Sequence, residues 1–84
     1  MEQLEYINEG RFDRFTRNFI EEDYTYEKDI LLLTGSYNSF IDEAGSIGSD
    51  SYRELIMAGR DHSSASELAY QEIKSFVIYN INTY

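Results

Sequence analysis

The chain of 84 residues has no cysteine, no proline and no tryptophan, and it contains a single histidine. The lack of cysteine excludes disulfides and cysteine-ligated metals, and it is typical of a reducing compartment. One histidine cannot supply the four nitrogen or sulfur ligands of a structural zinc site. We therefore expect no cofactor and no metal. Because proline is missing, only glycines and capping residues can end a helix.

Basic residues are also scarce. Seven Lys and Arg stand against sixteen Asp and Glu, which gives a formal net charge of -9. Such a surface repels nucleic acid and anionic membranes and attracts basic protein surfaces. The longest apolar runs, 30–33 and 76–79, are far shorter than the about 20 residues of a membrane span, and the acidic N-terminus lacks a signal-peptide pattern. We expect a cytoplasmic protein.

The composition is that of a folded protein with a small core. Hydrophobic residues make up 42% of the chain and aromatic residues 15%, so residues 1–84 are expected to form one small acidic domain. A chain of this length buries only about 60% of its unfolded surface. Eight tyrosines and five phenylalanines are more than one small bundle readily covers, which makes a homodimer a further expectation.

The clearest periodic segment lies in the middle of the chain. Its apolar residues recur at steps of four and three: Tyr26, Ile30, Leu33, Tyr37, Phe40 and Ala44. This spacing predicts one long helix with a single buried face. Gly35 lies off the stripe, and two shorter helices separated at Gly35 are the alternative. Gly45 is a natural helix end, and residues 44–51 (AGSIGSDS) are predicted to form a loop.

Helical spacing also marks the N-terminal segment. Phe12, Phe15 and Phe19 predict a helix over about 13–22, or one that begins near Glu2 with an irregularity at Gly10. On the flank beside these rings, Arg11, Arg14 and Arg17 recur every three residues. We interpret the arginines as partners for acids of neighbouring helices, or as the lining of a dimer seam.

Two capping-box patterns, a serine followed three residues later by a glutamate, predict helix starts at Ser51 and Ser64. The first helix would be short and end at Gly59, and the second would run from about Ala65 to Tyr79. The final residues, FVIYNINTY, are β-prone, so a terminal strand is the alternative. Helix is favoured because no second strand is evident to pair with it.

These patterns predict an all-α fold, a compact antiparallel bundle of about four helices. The residues expected in its core are Phe15, Phe19, Ile30, Leu33, Tyr37, Phe40, Leu55, Ile56, Leu68, Ile73, Phe76 and Val77.

Residues able to perform catalysis are not arranged in a catalytic pattern. His62 lies in a polar segment that we interpret as a loop, and carboxylate pairs such as Asp42–Glu43 arise by chance among sixteen acids. A divalent-cation site lacks the alternating ligand spacing of a calcium loop; the residues that would form it are Asp42, Glu43, Ser46, Ser49 and Asp50. We therefore expect a protein that is not an enzyme.

Charge is the feature that points to a function. Between Asn18 and Asp50 the chain has eight carboxylates and one lysine. Tyrosines interrupt this acidic segment, and tyrosine is a favoured contact residue at binding surfaces. The residues predicted to bind a partner are Glu21, Glu22, Asp23, Tyr24, Tyr26, Glu27, Asp29, Asp42, Glu43 and Asp50.

The expected function is inhibition of a basic, nucleic-acid-handling protein, with carboxylates that stand in for phosphates. In composition alone, and through no motif, the chain resembles the small acidic helical proteins that phages direct against restriction and CRISPR systems. An immunity protein for a basic nuclease toxin rests on the same charge complementarity. A structural or regulatory helical module, whose acidity ensures solubility, is the third possibility.

Overall fold

A computed structural model describes the backbone of residues 2–84 and the side chains of residues 10–84. Residues 2–84 form the helices α1 (Glu2–Asp23), α2 (Thr25–Thr34), α3 (Tyr37–Met57) and α4 (His62–Asn80), with no strand among them. Helix α3 is central and packs against α1 and α4, while the short α2 links α1 to α3 and packs against both. The predicted all-α bundle is confirmed.

Ring contacts define the helix directions. Phe12 of α1 packs against Tyr52 near the end of α3, whereas Arg17 of α1 lies over Tyr37 at its start. Phe40 of α3 likewise meets Phe76 near the end of α4. Helix α3 is therefore antiparallel to both neighbours. The last turn of α1, the whole of α2, the start of α3 and the end of α4 lie at one end of the bundle.

The long helix predicted from Tyr26 to Ala44 is wrong, and the alternative break at Gly35 is confirmed. Gly35 has φ 75°, in the left-handed region that glycine adopts without a steric cost. Its N–H donates to the Leu32 carbonyl (3.2 Å), and the Ser36 N–H donates to the Leu31 carbonyl (2.8 Å). This Schellman motif ends α2 and lets α3 start in a new direction.

The loop predicted at 44–51 is also wrong, because these residues lie inside α3. The glycines and serines of this segment suggested a loop, but glycine and serine also occur where helices approach closely. A Cβ at Gly48 would lie 2.5 Å from Ile73 Cδ1 of α4 and 3.2 Å from the Phe12 ring of α1. A Cβ at Gly45 would meet the Asp13 carboxylate. The small residues therefore allow both neighbouring helices to contact α3.

The core lies along α3. Buried hydrophobic side chains are Phe12, Ile20, Leu31, Tyr37, Phe40, Ile41, Ala44, Tyr52, Ala65, Ala69, Ile73, Val77 and Ile81. Tyr37, Phe40, Ile73 and Val77 were predicted. The predicted Phe15, Phe19, Leu55 and Phe76 are partly buried and pack against this cluster, and Leu68 is half-buried. Ile30, Leu33 and Ile56 were predicted in the core but are exposed.

The helix ends explain the remaining differences from the predicted boundaries. Helix α1 runs without a break through Gly10, which confirms the predicted start near Glu2 but not the predicted irregularity at Gly10. The serine at 51 lies within α3 and caps nothing. Asp61 caps α4, since its Oδ1 accepts a hydrogen bond from the Ser64 N–H at 2.9 Å. The C-terminal segment is helical to Asn80, so the alternative of a terminal strand is wrong.

The Arg11 side chain fills the space where α1, α3 and α4 meet. Its guanidinium carbon lies 4.7 Å from the Phe12 ring centre, 5.2 Å from that of Tyr52 and 5.8 Å from that of Tyr70. Its Nη1 donates to Ser66 Oγ at 2.8 Å. Cation–π contacts of this kind are favourable by about 0.5–2 kcal/mol each. Arg11 therefore has a structural role at this junction.

Candidate partner-binding surface

Helix α2 presents apolar side chains to solvent. Tyr26 is 72% exposed, Ile30 43%, Leu32 53% and Leu33 87%. We call these four residues the α2 outer face. Tyr26, Ile30 and Leu33 follow one another at steps of four and three residues, so they lie along one side of the helix. Leu32 lies about 100° around the helix from Leu33, on the flank of α2.

The opposite side of α2 attaches it to the bundle. Leu31 is buried there, at 2% exposure. Lys28 Nζ lies 3.2 Å from Glu21 Oε2 of α1 and 5.7 Å from the Tyr37 ring centre of α3. These contacts hold α2 against both α1 and α3. They therefore determine which side of α2 faces outward.

Carboxylates lie close to the α2 outer face along the chain. Asp29 is exposed and falls between Leu33 and Leu32 by helical angle, while the exposed Glu22 and Asp23 precede the first turn of α2. We call Glu22, Asp23 and Asp29 the acidic rim. The other two predicted acids differ from these, since Glu27 is half-buried and Glu21 is paired with Lys28. The apolar surface is thus bordered by negative charge.

The two predicted tyrosines have different environments. Tyr24 is half-buried, and its ring packs edge-on against Phe19 with the ring centres 5.6 Å apart. Tyr26 projects into solvent. The stripe predicted that Tyr26 lies on a buried helix face, and the structure instead exposes it. Tyr24 supports the turn between α1 and α2, and Tyr26 is available for contact.

The remaining predicted binding residues lie on α3, and all three are exposed. Glu43 faces the C-terminus, where its Oε1 accepts a hydrogen bond from the Tyr84 hydroxyl at 3.1 Å. Desolvation and this bond to Glu43 raise the pKa of Tyr84. Asp42 and Asp50 instead border a groove between α3 and Asp13 of α1. The ten predicted residues therefore fall into separate groups, at α2 and along α3.

The groove between α1 and α3 has a volume of about 210 Å³. Besides its three aspartates it is lined by Gly45, Ser46, Ser49 and Arg53. Arg53 Nη1 lies 3.8 Å from Asp50 Oδ1. Ser49 is only 4% exposed, and its buried Oγ has no hydrogen-bond partner among the described residues. A buried hydroxyl without a partner is uncommon and costs stability.

The single histidine has a structural partner. His62 was predicted to lie in a loop, but it is the first residue of α4, and its Nδ1 is 2.8 Å from the Tyr52 hydroxyl. Among the side chains of residues 10–84, no three His, Cys, Asp or Glu converge closely enough to hold a metal ion. None of the described helices is both long enough and apolar enough to cross a membrane.

Sequence reasoning identified Tyr26 but missed the other residues of the α2 outer face, since it assigned Ile30 and Leu33 to the core and gave Leu32 no role. The available signal was the run Ile30–Leu33. Four consecutive residues cover about 300° of a helix, so a short helix packed on one side must expose part of such a run. Asp13 of the groove was also absent from the predicted binding residues, since nothing local indicates that α1 lies beside residues 42–53. Ser49 was considered only as part of a cation site and was then interpreted as a residue of a solvated loop.

Comparisons with protein families, with characterised proteins and with solved structures find no match to this chain. The geometry and charge of its own residues therefore carry the functional argument.

Proposed function

We propose that the protein binds a basic, nucleic-acid-handling protein through α2 and the adjacent acids, and so inhibits it. The observation that carries this proposal is the α2 outer face, whose apolar side chains are exposed and bordered by the acidic rim. Contiguous exposed apolar surface with a polar border is typical of an interaction site. The partner fits if it offers an apolar patch surrounded by lysine or arginine.

Each part of this surface has a distinct role in binding. Tyr26 and Leu33 project furthest, so they can enter pockets on a partner and slow dissociation. The acidic rim attracts a basic surface over a distance and raises the association rate. An electrostatically steered complex of this kind weakens as salt is added.

Charge complementarity also favours a basic partner over a second copy of the chain. Two α2 outer faces brought together would place the acidic rims of both copies side by side, and like charges at an interface oppose association. A homodimer through α2 would tighten as salt screens this repulsion, whereas binding to a basic partner would weaken. Sedimentation equilibrium of the protein alone, at low and high salt, distinguishes the two occupants.

Inhibition follows if the bound surface is the partner's nucleic-acid site. Basic patches bordered by apolar or aromatic residues are common where proteins bind single strands and phosphate backbones. The exposed carboxylates Glu22, Asp23 and Asp29 would occupy the positions of phosphates. The same contacts would serve an immunity protein, whose partner is a single nuclease toxin.

The test uses affinity capture followed by a displacement assay. Wild-type protein and Leu33→Ser are used as baits in lysate of the source cells, and proteins captured only by the wild type are identified. Each one is purified, bound to a labelled nucleic acid, and titrated with the wild-type protein. The expected result is a basic protein that loses its nucleic acid on titration.

The matched control is Gln71→Ser, a substitution at an exposed position of α4. It should capture the same partner as the wild type. The proposal is overturned if the proteins lost with Leu33→Ser are acidic or retain their nucleic acid. It is equally overturned if Leu33→Ser, folded by circular dichroism, captures everything that the wild type captures. A partner that is a nuclease encoded beside this chain would favour the immunity function.

A further inference from the structure

We propose that the groove between α1 and α3 is a binding site for a guanidinium group, carried by an arginine side chain or by a small free guanidine. This inference does not rest on the proposed function, because it concerns different residues and a ligand that can be tested without any partner. Its basis is the combination of carboxylates, hydroxyls and shape in one groove.

Charge and size determine the class of ligand. The aspartates at 13, 42 and 50 outnumber the single cation Arg53, so the groove has an excess of negative charge. Its volume of about 210 Å³ is several times the about 30 Å³ that one water molecule occupies. An organic cation of a few heavy atoms therefore fits, and an anion is disfavoured.

Ser49 is the second, independent observation. It lines the groove, its side chain is almost fully buried, and its Oγ has no hydrogen-bond partner among the described residues. A hydroxyl oxygen with free lone pairs accepts a hydrogen bond from an N–H donor. A ligand in the groove that donates an N–H to this oxygen would satisfy a group that the fold leaves unsatisfied.

The arrangement favours a guanidinium over a metal ion. Calcium needs six to eight oxygen ligands at about 2.3–2.6 Å, and the described acidic side chains do not converge closely enough for any metal. A planar guanidinium has five N–H donors spread over a fork, which suits acceptors that are further apart. The absence of a side chain at Gly45 lets the Asp13 carboxylate approach α3 closely and so brings this acceptor into the groove.

Arg53 is the resident cation at the groove. Its guanidinium lies near Asp50, with 3.8 Å between Nη1 and Oδ1, and it shares the groove with any incoming cation. Because like charges repel, the ligand should bind more tightly when Arg53 is neutralised. A variant that lacks the Arg53 charge is therefore expected to bind the ligand more tightly. Damage to the fold would weaken binding, so it could not produce this result.

The experiment is a titration of the ¹⁵N-labelled full chain with butylguanidinium, followed by heteronuclear NMR. Saturable shifts are expected at the amides of Gly45, Ser46 and Ser49. Two control cations are titrated at the same ionic strength. Tetramethylammonium has the same charge and no N–H donor, and butylammonium has donors but no planar fork. Neither should give saturable shifts of the same size.

Variants then assign the binding to the groove. Asp42→Asn and Ser49→Ala should each weaken binding by about two- to five-fold, as the loss of one partly exposed polar contact does. Ser49→Ala should leave the melting temperature unchanged or higher, since it removes an unsatisfied hydroxyl. Arg53→Gln should tighten binding. Ser39→Ala, at an exposed position of the same helix, should change nothing.

Several outcomes would overturn the proposal. One is a set of shifts that grow linearly without saturation, and another is an equal response to all three cations. A third is unchanged affinity in both Asp42→Asn and Ser49→Ala. If Asp42→Asn fails to fold, Ser49→Ala decides alone. An arginine dipeptide amide that binds more tightly than butylguanidinium identifies a protein side chain as the source, and weaker binding identifies a free guanidine.

Leu33→Ser separates this inference from the proposed function. The variant should lose the protein partner while its groove still binds butylguanidinium with wild-type affinity. Conversely, Ser49→Ala should keep the α2 outer face intact. Partner binding at α2 and guanidinium binding in the groove can therefore each be tested, and each be refuted, independently.

Discussion

Helix α2 and the first two turns of α3 have the same spacing of apolar residues but bury them to opposite extents. In α2, Tyr26 and Leu33 are 72% and 87% exposed, whereas in α3 Tyr37 and Phe40 are 6% and 0% exposed. The two segments are separated only by Gly35 and Ser36. The difference shows that periodicity defines a face that favours burial without defining what covers it.

The cause of the difference is the position of the neighbouring helices around each segment. Helix α3 lies between α1 and α4, so its apolar face is covered along its length. Helix α2 packs only by the side that contains Leu31 and Lys28. Because α2 is apolar around most of its circumference, one covered side leaves another exposed. That exposed side is the α2 outer face.

The largest expected effect is the loss of stability when Phe40, which is fully buried, is substituted. Phe40 contacts Phe76 and Tyr84, with ring centres 5.3 and 4.9 Å apart. Phe40→Ala should lower the free energy of unfolding by about 3–5 kcal/mol. Leu33→Ala, at the exposed end, should change it by less than about 0.5 kcal/mol. Urea denaturation of both variants measures the contrast, and equal losses would show that α2 is covered in solution.

The next largest effect is the loss of stability when Gly35, which lies between α2 and α3, is substituted. Gly35→Ala places a side chain in the left-handed region and should cost about 1–2 kcal/mol. Gly35→Asn is the matched control, because asparagine tolerates this conformation and should cost less. Thermal denaturation gives the difference. If alanine proved equal to glycine or better, α2 and α3 would be joining into one continuous helix.

A smaller effect distinguishes the two tyrosines at the start of α2. Tyr24 packs against Phe19, so Tyr24→Ala should cost about 1 kcal/mol. Tyr26→Ala removes an exposed ring and should leave stability unchanged, while it speeds dissociation of the partner. Chemical denaturation and surface binding kinetics measure the two properties. The assignment fails if Tyr26→Ala destabilises the fold as much as Tyr24→Ala.

The smallest expected effect is the loss of stability when Asp61 is substituted. Asp61 lies outside both segments and caps only the start of α4. Hydrogen bonds from the side chain and backbone N–H of Ser64 lower the pKa of Asp61 below its ordinary value of 3.8. Its stabilising contribution is therefore full above pH 3.8 and is lost as the pH falls through the lowered pKa.

Asp61→Ala should lower the melting temperature at pH 7, and the gap to the wild type should narrow in acid. Asp61→Asn, which keeps an oxygen acceptor, should remain near the wild type at pH 7. A gap that stays constant between pH 7 and pH 2 would contradict an ionised cap.

Local signals in the sequence predicted the helical fold and the last helix well. The stripe of α3, the phenylalanines of α1 and the β-prone but unpaired C-terminus all favoured helix, and the helices are there. Segment 44–51 failed because glycine and serine have two uses. They end helices, and they also allow helices to approach, as Gly48 does against Ile73. Whether glycine and serine end a helix or allow close packing at 44–51 depends on the helices that lie beside this segment.

The predicted binding residues were found by composition, which locates charge along the chain but not in space. It identified Tyr26 and Asp29, which lie on the exposed side of α2, and it also included Tyr24, which is half-buried. It omitted Ile30 and Leu33 because apolar residues on a periodic stripe are assigned to the core by default.

The sequence by itself determined that the chain is helical, strongly acidic and without cysteine chemistry, since these properties depend on composition and on contacts within one or two turns. The tertiary structure decided which apolar face is covered, where Asp13 meets α3, and that Ser49 is buried without a partner. Those outcomes depend on contacts between residues far apart in the chain. Helical periodicity repeats every few residues and cannot specify which distant segment fills the space beside it.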